Sequence, residues 1–550
     1  KQTRDIDPTL AYPAAEWRKA WTRPLAFSKA GPRMLYFANQ RLFRTADGGQ
    51  HWAAISPDLT RDDATPPPNL DAATIADDDH LTKYRGVIYT IAPSPLSASL
   101  LWVGTDDGLV WRTDDAGAHW TNVTPAALTP WSKIAGIEPS HCDANAAYVA
   151  VDRHRLDDDA PYLYRTGDSG RNWTRIDSGI PRDAFVNVVR EDASCSGLVY
   201  AGTERGMFVS FDSGAHWQSL QQNLPMTSVR DIDLHGDDVV IATHGRGFWI
   251  MDDTTALRQM NGARADKVVL FKPADAIRFR PAEFTGTPFP KDEPMAANPP
   301  DGAILDYTLP AGINGPIAII IRDAYNNEVR RFDSADKSAS PDASKLEYAP
   351  EWVKPNPAPA TTPGMHRFVW DLHYAPPAAL HPFGGVWAPP GNYTIVLTAA
   401  GKTVAQPLAV KPDPRVKLPA SALQREFVLA TKVAEGWSQA AAALAEATKT
   451  LKTFRQHKDP RSARMEAAVL DLSGFSEESE NVAVRPSGRA DSLKALATDF
   501  EQLEHAVDGA DADPGPDVQA SYQTLSRMLS NTLREWRQMK PGATPAAPDQ

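Results

Sequence analysis

Short apolar runs separated by tight polar turns dominate the first half of the chain. Paired runs at residues 35–44, 101–112, 198–210 and 239–253 each predict two β-strands joined by a hairpin. Another strand is predicted before these pairs, as at residues 86–93, and one more after most of them. Four strands, named A to D in chain order, therefore form one repeating sheet. Five such sheets are predicted, the fifth without an evident strand D, at residues 20–60, 85–128, 131–179, 184–224 and 228–256.

A short motif, Ser/Thr-x-Asp-x-Gly-x-x-Trp, recurs in the turn between strands C and D of the first four sheets. Its copies begin at Thr45, Thr113, Thr166 and Ser210. The aspartate can accept backbone N–H bonds within the turn, the glycine takes backbone angles that other residues resist, and the tryptophan buries a large ring. We therefore interpret the aspartates as structural rather than catalytic. They are Asp47, Asp115, Asp168 and Asp212.

The pattern changes after the fifth sheet. Residues 265–415 alternate strand-like runs with Pro- and Gly-rich turns, which predicts an immunoglobulin-like β-sandwich. Residues 418–540 are rich in Ala, Leu, Glu and Lys at helical spacing and predict an α-helical hairpin region. The last segment, 541–550, is predicted to be disordered. The predicted fold class is therefore mainly β, with a helical region near the C-terminus.

The motif and its flanking strands resemble the Asp-box (BNR) repeats of β-propellers of the sortilin/VPS10-like, bacterial glycosyl hydrolase-like family, over about residues 20–256. The resemblance implies Asp-box propeller blades over residues 1–260, with the boxes opposite the usual binding face. Such propellers usually have more than five blades. It therefore implies that the chain is the C-terminal part of a larger protein, and that the upstream part or a partner chain completes the propeller. A closed five-blade ring is the alternative. The opening residues lack the features of a signal peptide and fit an internal cut or a processed end.

Strand order predicts where a functional site would lie. If the C–D turns share one face, the B–C turns and D–A connections share the other, around the mouth of the channel. The B–C turns supply nine ionisable candidates for a binding site: Asp106, Asp107, Asp152, Arg153, His154, Glu204, Arg205, His244 and Arg246. The D–A connections add Tyr84, Arg85, Trp131, Arg182 and Arg230. The alternative is that these are ordinary solvated hairpin residues.

Two functions fit this face. We favour a non-catalytic module that binds a peptide, a protein or a glycan on the B–C face. The alternative is a glycoside hydrolase, which needs two carboxyl groups ~5–5.5 Å or ~6.5–9.5 Å apart. Asp107 and Glu204 are the candidate catalytic pair, although the intervening blade would hold them apart and a partner carboxylate from upstream sequence would then be needed. A purely structural scaffold is a third interpretation.

The composition limits the classes of molecule that the protein is expected to bind. A formal net charge of −12 without clustered Lys and Arg argues against nucleic acid, and no run approaches the ~18 apolar residues of a membrane span. No HExxH, CxxC, P-loop or GxSxG motif occurs, so neither a cofactor nor a metal ion is predicted. The acidic runs at residues 77–79 and 157–159 are interpreted as solvated loops, with calcium binding as the alternative. We expect a secreted or periplasmic protein.

The two cysteines occupy matching places in neighbouring repeats. Cys142 and Cys195 each precede a predicted strand B. This match predicts a disulfide between adjacent blades, with two unpaired thiols as the alternative.

Overall fold

A computed structural model of the chain describes most of its residues. The described ranges are 3–12, 17–18, 23–62, 86–262, 266–281, 296, 298–313, 315–336, 358–380, 384–456, 459–474 and 489–539. The chain forms two compact units, residues 1–262 (unit 1) and 263–550 (unit 2). The sandwich and helical regions, predicted as separate domains, thus belong to one unit.

Unit 1 contains five antiparallel sheets that follow one another along the chain, each a simple meander. We call them blades 1 to 5. The strands of blades 1 and 2 are β1 (Leu25–Phe27), β2 (Leu35–Ala38), β3 (Leu42–Thr45), β4 (Ala53–Ala54), β5 (Ile88–Pro93), β6 (Leu101–Thr105), β7 (Val110–Thr113) and β8 (Thr121–Asn122). Those of blades 3 and 4 are β9 (Lys133–Pro139), β10 (Ala147–Arg153), β11 (Asp158–Thr166), β12 (Thr174–Arg175), β13 (Val186–Glu191), β14 (Val199–Thr203), β15 (Gly206–Ser210) and β16 (Gln218–Ser219). Blade 5 comprises β17 (Ser228–His235), β18 (Asp238–His244) and β19 (Phe248–Met251), and its described residues include no strand D.

The first strands of all five blades line one central cavity. Residues of β1, β5, β9, β13 and β17 surround a space of about 420 Å³. Meander sheets arranged around a common channel by their first strands form a β-propeller. The structure therefore agrees with the predicted propeller blades.

Successive blades are joined by apolar contacts between their facing surfaces. Between blades 2 and 3, for example, Trp102 and Val110 pack with Ile134 and Val149, and all four side chains are fully buried. Similar clusters join blades 1 and 2, blades 3 and 4, and blades 4 and 5. Each fully buried large apolar side chain stabilises the fold by about 1.5–3 kcal/mol, so this stacking is the main source of unit 1's stability.

Unit 2 begins with two sheets that share one apolar core. Tyr307 and Trp370, both fully buried, lie in that core. In order across the sheets, the strands are β20 (Val269–Leu270), β22 (Ala303–Leu309) and β25 (Gly364–Trp370) in the first, and β21 (Ala276–Arg278), β27 (Lys402–Pro412), β26 (Gly391–Ala399), β23 (Ile317–Arg322) and β24 (Glu328–Asp333) in the second. Strand β21 pairs with β27 in parallel, and the other pairs are antiparallel. The immunoglobulin-like topology stays a prediction.

The described part of the C-terminal region contains four α-helices rather than a single hairpin. They are α1 (Ala420–Arg455), α2 (Pro460–Ser473), α3 (Leu493–Asp508) and α4 (Pro516–Met539). Helix α2 begins where Asp459 accepts the backbone N–H groups of Arg461 and Ser462, and it ends at Gly474 in the left-handed conformation. None of these helices is long and apolar enough to cross a membrane. The predicted tail, 541–550, lies outside the described residues.

The predicted disulfide is not formed in this structure. Cys142 and Cys195 are both free thiols, and each lies in the A–B turn of its blade. Cys142 is exposed, whereas the half-buried Cys195 packs against the cluster between blades 4 and 5, with its Sγ 3.6 Å from the carbonyl oxygen of Arg258. Burial raises the pKa of the Cys195 thiol. The side chain of Cys195 is thus held by blade 5 contacts that the sequence match did not anticipate.

Candidate functional site

The ends of the strands define two faces of unit 1. At one end, an N–H of the Asp box binds a carbonyl of the A–B turn in the same blade, as in Ala116 to Ser99 and Ser169 to Asn145. At the other end, B–C turns meet D–A connections, as where the N–H of Trp131 donates to the carbonyl of Asp107 over 2.9 Å. The B–C turns and the Asp boxes therefore lie on opposite faces, here called the B–C face and the box face.

The four Asp boxes share one geometry on the box face. The hydroxyl of the first residue donates to the aspartate over 2.8 to 2.9 Å and accepts the glycine N–H over 2.8 to 3.0 Å. The aspartate also accepts the N–H of the residue four positions on, over 2.9 to 3.0 Å. Hydrogen bonds to these carboxylates hold the pKa of Asp47, Asp115 and Asp168 below the ordinary value. The donors described for these carboxylates all belong to the same turn.

The tryptophan of each box reaches the preceding part of the chain. Its Nε1–H donates over 2.5 to 2.9 Å to the carbonyl of Ile6, Ile55, Val123 or Ile176, for Trp52, Trp120, Trp173 and Trp217 respectively. Ile55, Val123 and Ile176 are the first residues after strand D of blades 1, 2 and 3. The boxes of blades 2, 3 and 4 thus fasten each of these blades to the one before it, and the box of blade 1 contacts the N-terminal segment.

On the B–C face, the two carboxylates of blade 2 are largely enclosed. Asp107 is buried and accepts hydrogen bonds from the Thr105 hydroxyl and, over 2.8 Å, the Arg61 backbone N–H. Burial raises the pKa of Asp107. Asp106 accepts the N–H of Val87 over 2.7 Å, and burial together with the charge of Asp107 raises the pKa of Asp106 to about 6.

A second group, of charged side chains on the same face, links blade 2 to blade 3. Arg155 lies 3.9 Å from Asp106, and the ammonium of Lys133 lies 3.6 Å from the buried carboxylate of Asp152. The same ammonium sits 3.9 Å from the centre of the Tyr89 ring. Lys133 and Arg155 were not among the predicted residues, because one lies within a strand and the other in a short 3-10 turn after strand B rather than at a hairpin tip.

The predicted residues Arg153 and His154 of blade 3 point to different partners. Arg153 donates to Asp158 over 2.9 Å and to the hydroxyls of Thr129 and Ser132 over 3.0 Å. His154 Nδ1 lies 2.6 Å from Asp152, and its ring stacks on Phe185 of the next D–A connection with centres 5.2 Å apart. These contacts fix both side chains between blades.

Blade 4 continues the chain of contacts. The N–H of Glu204 donates to the Phe185 carbonyl, and its carboxylate accepts the Ser228 hydroxyl over 2.7 Å and lies 3.5 Å from Arg230. Arg205 is paired with Asp183 at 2.9 Å. The face is thus connected from blade 2 to blade 5.

The remaining predicted residues differ in exposure. His244 and Arg246 of blade 5 and Arg182 are exposed, while Trp131 is buried. Tyr84, Arg85 and the acidic run 77–79 lie outside the described residues. Asp107 and Glu204, the candidate catalytic pair, belong to blades 2 and 4, with blade 3 between them.

Metal binding finds no support in the described ranges. No group of three or more His, Cys, Asp or Glu side chains there is arranged to hold a metal ion. In the acidic run 157–159, Asp158 is instead bonded to Arg153 and to the Tyr162 hydroxyl.

Comparison with known proteins gives distant similarities. No family model matches the chain. It is 22% identical over 196 residues to a probable oligoxyloglucan-reducing end-specific xyloglucanase of Neosartorya fischeri, which covers 35% of this chain and 22% of that protein. Among solved structures, a GH74 enzyme of Niastella koreensis has 12% identity and a TM-score of 0.32, covering 42% of this chain and 34% of that one. A GH74 xyloglucanase of Xanthomonas campestris has 12% identity and a TM-score of 0.32, covering 72% and 55%. The chain therefore spans about a fifth of the length of the curated relative it matches.

Proposed function

We propose that unit 1 is a carbohydrate-binding propeller that holds its ligand on the B–C face without cleaving it. The observation that carries this proposal is a difference between the acidic and the basic side chains that were predicted for that face. The carboxylates of Asp107, Asp152 and Glu204 are engaged by neighbouring groups. The guanidinium of Arg246 and the imidazole of His244 are instead exposed.

The carboxylates argue against hydrolysis as the first choice. Asp107 and Asp152 are buried and bonded, and Glu204 is shared between Ser228 and Arg230. A glycosidase needs one carboxyl group as acid and a second one close by as base or nucleophile. Two groups separated by a whole blade do not meet that requirement.

The exposed donors favour a ligand rich in oxygen acceptors. Arg246 and His244 are exposed with no polar side-chain partner among the described residues. Arg182, in the D–A connection between blades 3 and 4, is exposed as well. Sugar hydroxyls and carboxylates accept hydrogen bonds from guanidinium and imidazole groups. A curated relative named as a xyloglucanase favours a glycan over a peptide.

Calorimetric titration tests the proposal, with xyloglucan oligosaccharides as a neutral probe and polygalacturonate as an acidic one. We expect binding of at least one probe without release of reducing ends, and a loss of affinity of about tenfold in Arg246→Ala, since a hydrogen bond from a charged group is removed. Arg171→Ala is the matched control, because Arg171 is an exposed arginine on the box face. Equal losses in both variants, or no binding of either probe, would contradict the proposal.

A second candidate is a glycoside hydrolase that uses Asp106 as the acid. Its carboxyl group has a pKa raised to about 6, in the range that suits a proton donor near neutral pH. Reducing ends released from xyloglucan by the unaltered chain, and abolished in Asp106→Asn, would establish this alternative.

We also propose, as the finer assignment, a sortilin/VPS10-like propeller that acts outside the cytoplasm, where polysaccharides are met.

A further inference from the structure

A large cavity of unit 2 lies between its sheets and its helices. It has a volume of about 930 Å³ and is lined by Gly385 and Trp387 before β26, by Arg280 after β21 and by the C-terminal end of α3. A cavity of this size can hold a small organic molecule. All its lining residues belong to unit 2, whereas the B–C face belongs to unit 1.

Ion pairs fix the walls of this cavity. The guanidinium of Arg280 donates to Asp508 and to Glu426, over 2.8 Å each. It also donates to Asp511 over 2.6 Å. The backbone N–H of Trp387 donates to the other carboxylate oxygen of Asp508 over 3.1 Å. The walls are therefore held from both sides, and Arg280 is committed to these three carboxylates.

This network carries more negative than positive charge. Arg278 lies 3.0 Å from Glu426 and 3.3 Å from Asp511, so it shares two of the carboxylates that Arg280 contacts. Two guanidinium groups thus face three carboxylates, the third being Asp508. The network therefore has an excess of one formal negative charge before any other group of the cavity is considered.

Glu504 of α3 adds a carboxylate that has no donor of its own. It lines the cavity, is only 5% exposed, and accepts no hydrogen bond from any residue that the structure describes. The Nδ1 of His505 lies 3.9 Å away, which is beyond hydrogen-bond distance. Asp413, by contrast, is bonded to Arg415 over 2.5 to 3.1 Å. Burying a carboxylate without a donor destabilises a fold, so such a group is characteristic of a site whose donor is a ligand.

His373 contributes a second acceptor and part of an apolar wall. Burial lowers the pKa of its imidazole, and Nδ1 donates to the carbonyl oxygen of Asp371 over 2.6 Å. The neutral ring therefore has its lone pair on Nε2, which makes no hydrogen bond within the described ranges. The rings of His373 and Trp387 pack with centres 4.2 Å apart, and both residues line the cavity. The cavity thus combines hydrogen-bond acceptors with flat ring surface.

We propose that this cavity binds an organic amine, whose ammonium group is received by the Glu504 carboxylate and whose carbon skeleton lies against the rings of Trp387 and His373. An ammonium supplies N–H donors and the positive charge that the surrounding carboxylates lack. Burial and the charge of Asp508 raise the pKa of Glu504, and a cation beside it offsets both effects. A metal ion fits less well, since no group of three or more metal-ligating side chains is arranged to hold one in the part of the chain that the structure describes.

Calorimetric titration of the full chain with phenethylamine, and with phenethyl alcohol as its neutral isostere, tests this site. At pH 8 we expect the amine to bind at least about tenfold more tightly, because only the amine forms a charge-assisted hydrogen bond to Glu504. Glu504→Gln should reduce this preference to within about threefold, since a neutral amide replaces the carboxylate. Glu501→Gln is the matched control, because it removes the same charge from an exposed position of the same helix.

The comparison of the two probes on the unaltered chain needs no substitution, so it remains decisive even if Glu504→Gln alters the fold. Binding of neither probe, equal affinity for both, or a preference for the amine that survives Glu504→Gln would overturn the proposal. So would a loss of affinity in Glu501→Gln as large as that in Glu504→Gln. The site is independent of the glycan site proposed for unit 1, and Glu504→Gln should leave glycan affinity unchanged.

Discussion

At the residue scale, the Asp boxes illustrate what local chemistry can and cannot reveal. The sequence predicts the turn itself, because Asp168 and Gly170 have a conformational role that any copy of the motif must satisfy. It does not predict that the Trp173 indole reaches across to Val123 in the preceding blade, since that contact joins residues 50 positions apart. The sequence does contain a sign of such contacts. The segment Ile6–Leu10 (IDPTL) repeats Ile55–Leu59 (ISPDL), and the first residue of each segment accepts the indole N–H of a box tryptophan.

The box glycine provides a residue-scale prediction. Gly170 has φ of 85°, and an added Cβ would contact the Val123 side chain at 2.7 Å. Gly170→Ala should therefore lower the free energy of unfolding by ~2–4 kcal/mol, from left-handed strain plus the clash. Gly236→Ala is the control in denaturant unfolding, because Gly236 also has positive φ (62°) but has no atoms within 4 Å of the added Cβ. Equal effects of the two substitutions would show that the contact with the preceding blade contributes nothing.

At the element scale, helix α3 lies within the predicted helical region 418–540 but is not part of a single helical hairpin. Its buried residues Leu493, Leu496, Phe500, Leu503 and Val507 recur at helical spacing. The helix follows a polar stretch and begins at Ser492, a favourable N-cap that accepts the N–H of Ala495. The pattern does not reveal which residue contacts the C-terminal end of the helix. Asp508 and Asp511 there form ion pairs with Arg280, which follows β21.

The same helix carries a carboxyl group with unusual titration. Glu504 is buried beside a cavity of about 930 Å³, and burial together with the negative charge of Asp508 raises its pKa from 4.5 to about 7. The unfolded chain then binds fewer protons than the folded chain between these two pH values. The free energy of unfolding should therefore fall as pH rises through this window.

Glu504→Gln removes this titration and should stabilise the protein at pH 8 by up to ~3 kcal/mol, with no gain at pH 4. Thermal unfolding at the two pH values measures the difference. Glu435→Gln on α1 is the control, because Glu435 is an exposed helical glutamate. A gain at pH 4 as large as that at pH 8 would contradict the assignment.

At the scale of the whole molecule, repetition explains why the propeller was predictable and the rest less so. Each blade is a meander of neighbouring strands, so four copies of one local pattern define four sheets. In unit 2, by contrast, β21 pairs with β27, more than 120 residues later, and Arg278 of β21 meets Glu426 of α1 at 3.0 Å. Pairings at such separation leave no periodic trace in a single sequence.

The division into two units leads to a prediction about unfolding. Each unit has apolar cores of its own, the blade clusters in unit 1 and the sandwich and helical clusters in unit 2. Calorimetry should therefore resolve two transitions, each sensitive to substitutions in one unit. Gly170→Ala should lower one of them. Glu426→Ala removes the carboxylate 3.0 Å from the buried Arg278 and leaves it only Asp511, at 3.3 Å, so it should lower the other by ~1.5–3 kcal/mol.

A glycan bound on the B–C face should raise only the transition that Gly170→Ala lowers, because a ligand stabilises the unit that binds it. Glu435→Ala on α1 should leave both transitions unchanged, since that side chain is exposed. If the two substitutions instead shifted one common transition, or if the glycan stabilised the transition sensitive to Glu426→Ala, the ligand site would have to be sought outside unit 1. The measurement thus joins the stability of the units to the position of the proposed site, since only a propeller-bound ligand raises the transition that Gly170→Ala lowers.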